Sequence, residues 1–229
     1  MSLRIGGSSK LISRFLSVVC VIVLASIFCL LVYNEKKLDR NKPPRSESTQ
    51  SVIPEEVELD ETPVTKKQKD DYKVSPDKPR YITIDKIKVV NARVFEVGTD
   101  SQGRVDVPIN IFDTAWYRES NLPGQSGAML LNGHNGGPTE DGVFKNLDKL
   151  GKGDELVVER GDGKMFYFSV AEVKILTIKD SNAYMSSMMV SIDPSKDGLN
   201  LISCTGEWNQ NNLTYNKRVL VRAVAIDKL

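Results

Sequence analysis

The sequence has one histidine, His134, and three cysteines. Two of those, Cys20 and Cys29, fall inside an apolar run near the N-terminus, so Cys204 is the only thiol in the remainder of the chain. A domain with one thiol cannot close an internal disulfide. One His and one Cys also fall short of the three or four ligands that a zinc site needs, and no convincing acidic cluster offers itself to calcium. No cofactor is therefore expected. A charge excess is lacking as well: 31 basic and 30 acidic residues leave a net charge of +1, without the concentrated basic surplus that marks nucleic-acid binding. Glycine, finally, does not occur between positions 34 and 80.

What is present falls into three regions. Phe15 to Tyr33, FLSVVCVIVLASIFCLLVY, carries no charge. As a helix it would be about 28 Å long, near the apolar thickness of a bilayer. It reads as a transmembrane anchor; the competing reading is a cleavable signal peptide, with Arg4, Lys10 and Arg14 as its basic head. Five basic residues follow the run closely, from Lys36 to Arg45, so the positive-inside count does not itself place the N-terminus inside. Residues 34–79 mix charges of both signs with prolines and few apolar residues. That composition buries too little area to offset the entropy of ordering, and it reads as an extended linker spanning on the order of 40 Å. From Arg80 to Leu229 the chain is long enough for one core.

Within that last region short β-rich runs alternate with turn chemistry: YITIDKIKV, ARVFEVG, GAMLLNG, DELVVER, KMFYFSVAEVKILTI, LNLIS and KRVLVRAVAI. A slip in alternation near Ala171 predicts a bulge or bend, and Gly161-Asp162-Gly163 predicts a hairpin turn. Phe144, Leu147 and Leu150 recur at i+3 spacing, which predicts a short helical turn over one end of a sheet. Periodicity leaves a closed barrel and a sandwich both open.

Three residues could do chemistry. A lone thiol in an extracellular domain points to intermolecular pairing or a reactive nucleophile; its bland reading is a small buried apolar residue. His134, in LLNGHNGG after an apolar strand, titrates near neutrality and suits thiolate pairing and protonation of a leaving amine. Arg218 opens a strand fourteen residues after Cys204. Consecutive strands tend to be neighbours, so its guanidinium could face the thiol and stabilise an oxyanion. Arg222 shares that strand face but lies roughly 13 Å further along.

These residues resemble those of the sortases, membrane-anchored cysteine transpeptidases of the bacterial surface. The family's histidine corresponds to His134 in NGHNG, its cysteine at a strand end to Cys204 in NLISC, and its arginine on the following strand to Arg218 in NKRVLV. YITIDKIKV is similar to the family's opening strand, and WYRESNLPGQSGAMLLNGH to the Pro-Gly-x-x-Gly approach of its class D, E and F branches. Asn200 and Ser203 stand where the cysteine motif has threonines. Leu122 to Gly127, LPGQSG, looks faintly like a sorting signal but lacks the threonine, and it reads as a turn.

The resemblance implies a mainly β fold, a closed barrel of about eight strands with short helices, preceded by one transmembrane helix. Its layout would be a cytoplasmic N-terminus (1–14), an anchor (15–33), a linker (34–79) and an extracellular catalytic domain (80–229). It implies catalytic His134, Cys204 and Arg218, a thioacyl intermediate, sorting-signal peptides of the LPxTG type as substrates, and an amine acceptor from a cell-wall precursor or a pilin lysine. Ser203 would keep a hydroxyl at the site and bind substrate. The loop from Lys179 to Gly198 would set specificity, with Met185, Met188 and Met189 lining an apolar groove; packing of the same methionines on the barrel is the equal alternative. Two further readings stay open: a cysteine endopeptidase with water as acceptor, and a non-catalytic surface module with a buried Cys204.

Overall fold

The computed structural model describes residues 58–100, 103–210 and 214–227. The expected anchor at 15–33 and the linker as far as residue 57 lie outside the described residues. Among the described residues no helix is long and apolar enough to cross a membrane.

Among the described residues eight strands form the fold: β1 (Pro79–Ile84), β2 (Val89–Val97), β3 (Thr114–Tyr117), β4 (Ala128–Gly133), β5 (Glu155–Arg160), β6 (Met165–Thr177), β7 (Gly198–Asn209) and β8 (Thr214–Ala225). They close in the order β1-β2-β3-β4-β7-β8-β6-β5, with β5 pairing back onto β1. Barrel closure settles the choice that periodicity left open. Seven strands coincide with the seven β-rich runs; β3 is the addition. Only four residues long, it has too little sequence for alternation to register, yet it pairs parallel with β2 and antiparallel with β4 and so bridges the two halves of the sheet.

Several local expectations are met for identifiable reasons. YITIDKIKV divides into β1 and the start of β2 at a 3-10 turn, Asp85–Ile87, and Lys88 adopts φ 61° to reverse the chain. The slip near Ala171 is a register shift between Val170 and Glu172 where β6 pairs with β8. LPGQSG is a turn into β4, with Gln125 N–H donating to the Leu122 carbonyl. Phe144, Leu147 and Leu150 are all buried, Leu147 opening and Leu150 closing a 3-10 turn that seals one end of the barrel.

Strand alternation divides the core in two. Met129 and Leu131 of β4, Leu199 and Leu201 of β7, and Val219, Val221 and Ala223 of β8 point into the barrel. Leu130 and Leu220 point the other way, into a satellite cluster under the helix α2 (Ile178–Met188), where Met188 is fully buried. β4 is thus buried on both faces, which accounts for its unbroken apolar run Ala-Met-Leu-Leu. Thr177 caps α2, its hydroxyl accepting from Asp180 N–H.

The linker boundary differs from expectation. Residues 58–78 lie against the barrel, and they include a short helix, α1 (Lys66–Asp71), with a Thr65/Gln68 capping box. Tyr72 packs between Tyr81 and Phe95, and its hydroxyl donates to the Val94 carbonyl. A count of aliphatic residues missed this segment because one aromatic and many polar groups hold it. The described residues belong to one unit, Val57–Leu229.

Truncating Phe144, 1% exposed, should test the sealed barrel end. Phe144→Ala is expected to cost about 3–5 kcal/mol of unfolding free energy, read from urea denaturation; a loss within experimental scatter would show that the end is not a packed part of the core.

Candidate functional site

Register, burial and hydrogen bonds locate the candidate site on the outer face of three adjacent strands, β4, β7 and β8. Leu130 pairs with Asn200 and Asn200 with Arg222, forming one cross-strand rung. Asn132 pairs with Ile202 and Ile202 with Leu220, forming a second. Two residues further along β7 and β8 the same face carries Cys204 and Arg218, paired directly to each other, and His134 stands at the corresponding place one residue past the end of β4. Because side chains alternate with period 2, Cys204 and Arg218 point away from the barrel interior. Ser203, on the opposite face of β7, donates its hydroxyl to the Gly133 carbonyl at 2.9 Å and ties the ends of β4 and β7 together just before His134 and Cys204.

His134 immediately follows β4 and is half-buried. Its Nε2 lies 2.6 Å from the Pro108 carbonyl oxygen. A carbonyl only accepts, so Nε2 carries a hydrogen and Nδ1 is the nitrogen that exchanges a proton. Burial holds the imidazole below the ordinary histidine range, partly offset by the Pro108 hydrogen bond. Cys204 is likewise partly buried, and desolvation pushes its thiol up; the Arg218 charge and a hydrogen bond from Thr214 act in the opposite direction. Both shifts favour the neutral thiol and the neutral imidazole over the thiolate and the imidazolium.

The Arg218 guanidinium is held in place by its own strand. Nη1 donates to the Tyr215 and Lys217 carbonyls, both at 2.9 Å, and Nη2 to Thr214 Oγ1 at 3.1 Å. Thr214 thus links the arginine to the thiol. It was missed by sequence reasoning, although its position four residues before Arg218 puts it on the same strand face. Pro108 was missed too; its contact with His134 bridges 26 residues, and no local pattern announces it. Arg222 is a poor alternative to Arg218: it is 7% exposed, pairs with Asn200, and turns Nη1 to the Tyr184 hydroxyl and Nη2 to the Val190 carbonyl.

Two expected substrate contacts need correction. Met188 is fully buried against Leu130 and Leu220, so its side chain is core and cannot line an open groove. Ser203 is 4% exposed and faces away from Cys204, so its hydroxyl fastens strands. Met185 and Met189 pack at the margin of the same cluster and stay partly exposed. Among the described residues no group of His, Cys, Asp and Glu is arranged to hold a metal ion.

A family model described as a sortase domain matches residues 82–226, an interval that contains His134, Cys204 and Arg218. Among solved structures, sortase C1 of Streptococcus agalactiae is 23% identical with a TM-score of 0.50, covering 72% of this chain and 79% of its own. Sortase C-1 of Actinomyces oris is 24% identical with a TM-score of 0.47, covering 68% and 76%. Among curated proteins no match is found.

The charge of Arg218 favours the thiolate, so its removal disfavours it. The pH midpoint for Cys204 alkylation by iodoacetamide is expected above the ordinary thiol value, and Arg218→Ala should move it higher still. A midpoint that Arg218→Ala leaves unchanged or lowers would show that the guanidinium does not act on the sulfur.

Proposed function

The chain belongs to the sortase family, and on that premise we propose that it is a cysteine transpeptidase that cleaves a sorting signal of the LPxTG type and passes the acyl group to an amine. The observation that carries this reading is the outer-face rung in which Cys204 pairs with Arg218 and His134 sits at the end of the neighbouring strand.

The steps follow from these positions. Cys204 Sγ, as thiolate, attacks the scissile carbonyl carbon, and the guanidinium of Arg218 stabilises the oxyanion that forms. Nδ1 of the His134 imidazolium gives its proton to the departing amine as the C–N bond breaks, leaving a thioester on Cys204. The neutral imidazole then takes a proton from the incoming amine, which attacks the thioester, forms the new amide and releases the thiolate. The Nε2–H to Pro108 bond keeps the ring oriented throughout.

Desolvation explains both the cost and the benefit of the site. It keeps the reactive pair scarce, and it strengthens the attraction of the Arg218 charge for the oxyanion once that forms. An amine acceptor from a cell-wall precursor or a pilin lysine suits this chemistry. The apolar run at 15–33 would hold the domain at the outer face of a bacterial membrane, with residues 1–14 inside.

Incubation of the full-length chain in detergent with sorting-signal peptides is expected to yield a thioester at Cys204 by mass spectrometry, an amide when an amine is added, and neither with Cys204→Ala. His134→Ala should lower turnover by roughly 10²- to 10⁴-fold, the usual range for a positioned acid–base group. Absence of any adduct across a broad peptide library would sink the transpeptidase reading, and water as the sole acceptor would make the protein an endopeptidase. Separately, the full-length chain should sediment with membranes and a chain lacking residues 1–33 should not; equal partitioning would remove the anchor.

A further inference from the structure

Glu61 lies well before the first strand and far in sequence from His134, yet its carboxylate accepts three hydrogen bonds from the loop that follows the histidine. Thr139 N–H and Glu140 N–H donate to Oε1 at 2.9 Å each, and Thr139 Oγ1–H donates to Oε2 at 2.6 Å. A Cβ on Gly137 would stand 2.2 Å from Glu61 Oε1, so the loop backbone passes directly over the carboxylate. That loop is rooted on the histidine: Gly142 N–H donates to the Asn135 carbonyl and Phe144 N–H to the His134 carbonyl, both at 2.9 Å.

The adjoining residues grip the other side of His134. Asp60 N–H donates to the Ile109 carbonyl and Ile111 N–H to the Asp60 carbonyl, at 3.0 Å each. Asn110 Nδ2 donates to Asp60 Oδ2 and to the Thr62 carbonyl, at 2.9 Å each. One residue before Ile109 is Pro108, whose carbonyl holds the imidazole; Asn132, on the same face of β4, holds the same segment through the Asp106 carbonyl at 2.7 Å. Three consecutive residues outside the barrel thus fix the main chain of His134 through one loop and its ring through another.

We propose that the Asp60–Thr62 segment is a brace that sets the orientation and tautomer of the His134 imidazole, with Glu61 and Asn110 as positioning residues of the transfer reaction. This rests on the transpeptidase reading for its consequence in turnover. Bonds to a full carboxylate are stronger than neutral ones, and small misplacements of a catalytic group are costly in rate. Releasing the Asn110 arm frees the Pro108 carbonyl to retreat, and releasing the Glu61 arm lets the His134 main chain move away from it; either change weakens the Nε2–H bond to its acceptor. The segment does not contact Cys204 through any of these bonds, so peptide affinity should survive its loss.

The test uses the full-length chain in detergent, labelled with ¹⁵N in its single histidine. Neutral wild-type His134 should show a protonated Nε2 and a bare Nδ1; Glu61→Ala and Asn110→Ala should each shift the ring nitrogens toward a tautomer mixture. Each is expected to lower kcat for transfer about tenfold, a share of what the acid–base group contributes, with KM for the peptide held within about twofold and Glu61→Gln restoring most of the rate. Should Glu61→Ala not fold, Thr139→Val removes one of the three donors and should give a smaller change in the same direction. Unchanged ring nitrogens, or equal changes in kcat and KM that Glu61→Gln does not rescue, would overturn the brace. An inactive wild-type chain would overturn the transpeptidase reading instead, while the nitrogen signals, which need no substrate, would still decide the brace.

Discussion

The pairing register of β4, β7 and β8 is the constraint on which the rest of the site depends. A slip of one residue in β7 would turn Cys204 into the barrel and Ser203 outward. Apolar burial pins that register: Leu199 and Leu201 face the core, and the rows beside them, Met129 and Leu131 on one side and Val219, Val221 and Ala223 on the other, leave no equivalent alternative. The Ser203 hydroxyl on the Gly133 carbonyl adds a directional bond at the very end of the pairing. The groups proposed to react are held in place by residues with no part in the proposed chemistry.

The outer face of the same strands is graded along its length. At one end Arg222 and Asn200 hold the last carbonyls of α2 and its following turn, through Val190 and Met188; in the middle Leu220 and Leu130 pack on Met188; at the other end lie Arg218, Cys204 and His134. Two arginines four residues apart on one strand therefore do different work. Arg222 is buried under the helix and satisfies carbonyls, whereas Arg218 stands at the open end, where its charge reaches the thiol.

Sulfur and imidazole are both partly withdrawn from water, and both are shifted toward their neutral forms. In the proposed reaction, such a site would trade the standing population of the active pair for stronger electrostatics. Orientation then matters more than ordinary acidity, and it is supplied from outside the barrel. The polar segment at Asp60–Thr62 and the stretch ending in Pro108 converge on His134 without belonging to any long strand.

Much of this was legible in the sequence. Alternation and turn residues gave seven of the eight strands, the i+3 spacing of Phe144, Leu147 and Leu150 marked the sealed end, and the scarcity of His and Cys singled out His134 and Cys204. These are local or compositional signals, and they survive in one dimension. Other features had no such signal. β3 is too short for period, Met188 could be groove or core on pattern alone, and the bonds of Pro108 to the imidazole and of Glu61 and Asn110 to the segments around it join residues separated by 26 to 79 positions. Sequence determined which groups could react, because side-chain chemistry is intrinsic to residue type. Only the tertiary structure decided how they are aimed and how dry they are, because hydrogen-bond partners and desolvation come from neighbours that the chain brings together by closing the barrel.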